Sequence, residues 1–122
     1  MKLPRRLTLN SRADFQAVRE QGKSASGRFL VLAALPKAKQ DHWRYALITT
    51  KKAGKAHERN HIRRLIRAAL VEEGSMILPG HDLVFIARWK AKKASYAEIR
   101  KEVLFLTRKL NLQNSVTHEA KS

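Results

Sequence analysis

Positive charge is the strongest constraint on this chain: 26 Lys and Arg stand against 10 Asp and Glu in 122 residues, a formal charge of +16. Self-repulsion of that size opposes any compact state unless the cations are scattered or gathered where a polyanion relieves them. This sequence gathers them. Residues 44–55 contain no acid, and from 56 to 71 the single acid is Glu58. A solvated helix face usually carries both signs, so the grouping points to nucleic acid as partner.

The remaining composition narrows the class. An apolar fraction of 43% can build one modest core. We expect one domain over residues 1–110 and a flexible tail at 111–122, where apolar periodicity stops. The chain has no cysteine, which excludes disulfides, thiol nucleophiles and thiolate zinc sites and fits a reducing cytoplasm. No apolar run approaches the roughly 20 residues that span a bilayer, and the basic start is not followed by the apolar stretch of a secretory signal. The expected location is cytoplasmic, with no membrane partner.

Hydrophobic spacing sets the elements. Ser11 with Asp14 reads as a helix N-cap, Phe15 and Val18 share a face, and Gly22 ends the helix. Phe29–Leu35 is a short apolar run closed by Pro36, and Trp43–Thr50 carries aromatic and β-branched residues; the two are expected to pair as a hairpin. From His57 to Glu73 the period is helical, Pro79-Gly80 marks a turn, and Leu83–Ala87 is a third strand. Ser95 and Glu98 form a capping box before the stripe Ile99, Val103, Leu106, Leu110. The order α-β-β-α-β-α predicts an α+β fold, a small sheet covered by helices.

On the central helix, Ile62, Leu65, Ile66, Ala69 and Leu70 fall on one arc, while Arg59, Asn60, Arg63, Arg64 and Arg67 fall on the next. Arginines at i, i+4 and i+8 repel on an isolated helix, so the cluster is locally unfavourable until an anion neutralises it. Lys51, Lys52 and Lys55 precede the helix, whose N-terminal N–H groups also suit phosphate. Lysine supplies a mobile point charge and arginine a planar fork, a mixture suited to the irregular backbone of a folded RNA. Thr49 and Thr50 end the second strand beside these lysines, where they either reach phosphate or cap the ladder.

His57-Glu58-Arg59-Asn60-His61 matches the HExxH zinc pattern. A third ligand cannot be nominated beyond His81 and Asp82, and the cationic surroundings disfavour a divalent metal. No zinc is expected. A carboxylate cluster, a GxSxG elbow and a GxxxxGK loop are also missing, so no catalytic residue is assigned to the protein itself.

The run Lys51-Lys52-Ala53-Gly54-Lys55-Ala56 followed by Arg59-Asn60-His61-Ile62-Arg63-Arg64-Leu65-Ile66-Arg67 resembles the signature of the bacterial ribonuclease P protein component. Arg12-Ala13-Asp14-Phe15, Arg28-Phe29-Leu30-Val31-Leu32 and Asp82–Arg88 before Ser95-Tyr96-Ala97-Glu98 fit the same family in order. The resemblance implies a single-domain α/β sandwich whose βαβ crossover is left-handed, against the usual preference. It implies a subunit of an endoribonuclease whose catalytic centre is RNA, with Mg²⁺ held mainly by that RNA. The partners would be the catalytic RNA, in a 1:1 complex with a monomeric protein, and precursor tRNA, whose 5′ leader is removed. The implied RNA-binding residues are Lys51, Lys52, Lys55, Arg59, Asn60, His61, Arg63, Arg64 and Arg67; the implied leader-binding residues are Phe15, Arg19, Phe29, Val31 and Thr50. His61 departs from the family's usual third arginine, and Arg19 and Ala33 stand where aromatics are common. The competing class is a non-catalytic RNA-binding protein of the ribosome-associated type.

Overall fold

A computed structural model describes residues 3–113. Among them the elements are α1 (Arg12–Gln21), β1 (Lys23–Ser26), β2 (Leu30–Pro36), β3 (Arg44–Ile48), α2 (Ala56–Glu73), β4 (His81–Ala87) and α3 (Tyr96–Lys109). The strands form one sheet in the order β1-β2-β4-β3, with β1–β2 and β2–β4 antiparallel and β3–β4 parallel. The α+β class with its small sheet agrees with the sequence reading, and the sheet is mostly antiparallel. The capping residues agree as well: the Asp14 N–H donates to Ser11 Oγ and the Glu98 N–H to Ser95 Oγ, while Glu98 Oε1 accepts from the Ser95 N–H at 2.9 Å.

Two strand expectations are corrected. β2 and β3 are not a hairpin, because β4 lies between them and the chain from β3 returns through α2 into a parallel neighbour. A hairpin does exist, formed by β2 with β1, a strand the sequence reading left out. Lys23-Ser24-Ala25-Ser26 buries only Ala25, too little apolar pattern to announce a strand.

Strand alternation creates two unlike faces. Leu30, Leu32, Leu83, Phe85 and Tyr45 face α2 and α3, where Ile62, Ile66, Leu70, Ile99, Val103 and Leu106 complete the main core. On the other side α1 crosses β2 and β4, packing Phe15 and Val18 with Ala33 and Val84. This helix is short and covers only part of its face.

The Glu102 carboxylate on α3 fixes the β1–β2 turn, accepting from the N–H groups of Arg28, Phe29 and Leu30 at 2.9, 2.6 and 2.5 Å. Gly27 leaves room for that carboxylate, since a Cβ there would stand 2.4 Å from Glu102 Cδ.

The end of α3 corrects the boundary drawn at residue 110. Asn111 takes a left-handed conformation at φ 59°, a turn Asn tolerates, and sends Leu112 and Gln113 back into the protein. The Leu78 N–H donates to the Leu112 carbonyl, Ile77 bridges Gln113, and Gln113 Nε2 donates to the Leu104 carbonyl. The packed chain therefore reaches Gln113, and the rest of the expected tail, 114–122, lies outside the described residues.

Candidate nucleic-acid interface

The first turn of α2 is set up by its approach. After β3 the chain makes a 3₁₀ turn, Lys51–Ala53, closed by the Ala53 N–H on the Thr50 carbonyl at 2.9 Å. Ala53 is buried while Thr50, Lys51 and Lys52 are exposed, so the turn throws both lysines outward. Gly54 sits at φ 130°, a conformation L side chains avoid, and a Cβ there would meet Glu58 Oε1 at 2.6 Å. That oxygen accepts from the Lys55 N–H at 2.8 Å. The bond holds the Glu58 carboxyl below its usual range, and nearby cations, Lys92 first, add to the effect. Glu58, the acid of the HExxH match, thus serves as a helix cap. No group of three His, Cys, Asp or Glu side chains stands together among the described residues.

Along α2 the predicted arcs are realised in part, with Leu65 half-buried. Ile62, Ile66, Ala69 and Leu70 are buried, whereas Asn60, Arg64 and Arg67 are exposed. Arg59 and Arg63 lie between the two arcs. Arg59 Nε is buried without a hydrogen-bond partner, and Arg63 donates to Thr49 Oγ1 and to Asn60 Oδ1. Lys51, Lys52, Lys55, Asn60 and the four arginines therefore form one ridge that runs from the turn after β3 along α2. None of these lysines and arginines joins an ion pair among the described residues. His61 is exposed on the next flank of the helix.

The expected leader-binding residues divide. Val31, Ile86 and Ile48 are partners in register across β2, β4 and β3 and stay half-buried. Phe15 lies on the same side of the sheet, with Arg19 exposed one turn further along α1. The row ends at Thr49 and Thr50, where Arg63 arrives, so the apolar face and the arginine ridge meet at the end of β3. Phe29 does not belong to this face. It is only 8% exposed and packs in the main core on the α3 side. The strand begins at Leu30, and the bonds from the turn to Glu102 carry Phe29 to the opposite layer, away from the leader-binding position that the resemblance implied.

Sequence reasoning missed a charged cluster that anchors α1. Arg44 donates from Nε to Asp82 Oδ1 at 2.9 Å and from Nη2 to Asp82 Oδ2 at 2.8 Å; Nη2 also lies 3.2 Å from Asp14 Oδ2, while Asp14 Oδ1 pairs with Lys37 Nζ at 3.6 Å. Asp82 is 0% exposed and also accepts from Gln40 Nε2. The hydrogen bonding of Arg44 to the Asp82 carboxylate is the main cause that raises Arg44 above its usual range. Asp14 and Asp82, dispersed in the sequence, thus meet across one guanidinium. The arrangement is a structural lock and not a pair of acids free for catalysis.

The profile of the ribonuclease P family matches residues 3–111. The chain belongs to the ribonuclease P protein family. Among relatives named ribonuclease P protein component, that of Geobacillus kaustophilus is 35% identical over 88% of each chain. That of Clostridioides difficile is 38% identical over 85% of this chain and 91% of its own. The ribonuclease P protein of Staphylococcus aureus superposes with a TM-score of 0.81 at 30% identity, covering 88% of this chain and 98% of that one. The Thermotoga maritima ribonuclease P protein gives 0.74 at 27% identity, over 83% and 96%. With near-complete coverage on both sides, this ribonuclease P family member shares the whole domain with these relatives. No helix among its described residues is long and apolar enough to cross a membrane.

Proposed function

We propose that this chain is the protein subunit of a ribonuclease P ribonucleoprotein that removes the 5′ leader of precursor tRNA. The observation that carries the reading is the unpaired cationic ridge of α2 meeting a half-buried apolar row at the end of β3. In this reading Lys51, Lys52, Lys55, Arg59, Asn60, Arg63, Arg64 and Arg67 neutralise phosphates of the catalytic RNA, with His61 at the margin. The leader runs past Phe15, Arg19, Val31 and Thr50, its bases against the apolar row and its phosphates toward Arg19. One protein binds one RNA, in the cytoplasm.

Among the described residues, Asp14 and Asp82 are held by Arg44 and Glu58 caps a helix. In this reading Mg²⁺ and the hydrolytic step belong to the RNA. The protein contributes charge neutralisation and leader positioning. A plain RNA-binding role would share the ridge but leave the uncovered apolar row beside it without a purpose.

The leader half is tested by comparing holoenzyme affinity for precursor and mature tRNA. The wild type is expected to favour the precursor. Stacking contributes about 1 to 3 kcal/mol per base, so Phe15→Leu, which keeps apolar packing on α1 but removes the ring, should reduce that preference about 5-fold or more. Equal affinity for precursor and mature tRNA in the wild type would contradict leader binding.

A further inference from the structure

A second cationic and aromatic site lies on the other side of the sheet from the leader row. After β4 the chain forms a 3₁₀ segment, Trp89–Lys93, in which Ala91 is buried. That single anchor throws Trp89, Lys90, Lys92 and Lys93 into solvent. Trp89 is 60% exposed, unusual for a side chain that normally buries most of its area. Lys90 Nζ stands 5.5 Å from the Trp89 ring centroid, and the Arg28 guanidinium 5.4 Å from that of Phe29. Between these rings and the lysines is a cleft of about 360 Å³, within the range of small-ligand sites. The acid in its wall is Glu98, whose carboxylate is engaged by the Ser95 N–H.

We infer that this cleft takes one unpaired nucleotide of the catalytic RNA, its base on the Trp89 indole and its phosphate among Arg28, Lys92 and Lys93. An aromatic face ringed by cations is the chemistry that single-stranded nucleic acid recognises. The choice of RNA follows from position, and it rests on the function proposed above. The Trp89–Lys93 segment packs against the Lys51–Ala53 turn and against α2, so the cleft continues the α2 ridge. The leader row lies across the sheet, facing away from it.

The test uses the full chain and the cognate ribonuclease P RNA at one salt concentration, comparing wild type, Trp89→Ala, Trp89→Phe and Arg64→Ala. Loss of one stacked base at about 1 to 3 kcal/mol corresponds to a roughly 5- to 150-fold weaker complex for Trp89→Ala, with Trp89→Phe keeping most of the affinity. The part of the intrinsic fluorescence that Trp89→Phe removes should be quenched by the RNA and not by a free leader oligonucleotide. If Trp89→Ala binds like wild type while Arg64→Ala is weakened, the cleft proposal is overturned and the α2 reading stands. If the leader oligonucleotide quenches Trp89 instead, the assignment to the catalytic RNA is overturned. If Arg64→Ala also binds like wild type, the α2 reading fails and takes this proposal with it. Trp89 is mostly in solvent, so its variants are expected to melt like wild type.

Discussion

Replacing Arg64 and Arg67 together with alanine is expected to weaken the complex with the catalytic RNA at least 100-fold and leave the protein folded. Both side chains are exposed and neither joins an ion pair among the described residues, so their removal costs no internal contact. Each charge-assisted contact contributes about 1.5 to 3 kcal/mol. Removing two phosphate contacts should also flatten the dependence of log affinity on log salt by roughly 0.7 to 0.9 per contact. Arg59 and Arg63 are poorer choices, because one has a buried Nε and the other holds Thr49 and Asn60. Removing them would mix lost RNA contact with local rearrangement. Affinity measured across a salt series, beside a thermal melt, checks the expectation; an unchanged slope in a folded double variant would remove these two arginines from the interface.

Arg44→Met should cause the largest loss of stability. The substitution keeps the aliphatic stem but leaves Asp82, with no exposed surface, holding only the Gln40 amide and no cation. Breaking a buried pair from one side costs about 3 to 5 kcal/mol, a large share of the roughly 5 to 15 kcal/mol available to a domain. At this size the loss corresponds to a melting point lower by roughly 10 to 20 °C. Asp82→Asn should cost less, because Arg44 is partly exposed and retains Asp14. The double variant Arg44→Met/Asp82→Leu should recover much of the loss, since it removes the buried charge with its partner. Calorimetry of the three proteins decides the matter, and a single Arg44→Met variant as stable as wild type would show that the lock contributes nothing.

The lock also shows which parts of the architecture were legible in sequence. Local signals were strong where one short segment contains its own logic: Ser11 and Ser95 cap their helices, and the Ile62, Ile66, Ala69, Leu70 stripe places the arginine ridge on the adjoining arc. Features that join distant segments were not legible. The insertion of β4 between β2 and β3 depends on which face α2 covers, and nothing in Trp43–Thr50 distinguishes a hairpin partner from a parallel edge strand. Asp14 reads as a helix-cap partner and Asp82 as a candidate metal ligand, and nothing in the sequence joins either to Arg44 until the topology brings the three to one point. Phe29 shares the strand parity of Val31, yet three N–H bonds to Glu102, 72 to 74 residues away, turn it into the other layer. For the ridge, charge grouping and helical period sufficed, whereas the apolar row that meets it exists only because three strands align Val31, Ile86 and Ile48.

The central claim is that this chain lets a catalytic RNA process precursor tRNA by neutralising phosphate and holding the leader. Its most direct test is cleavage of a 5′-leader precursor tRNA by the cognate ribonuclease P RNA at low Mg²⁺, with and without the protein. Addition of the wild-type protein is predicted to restore cleavage at the mature 5′ end, and the Arg64→Ala/Arg67→Ala variant to fail at concentrations where wild type succeeds. Tight binding to that RNA with cleavage unchanged would contradict the account and leave a plain RNA-binding protein in its place.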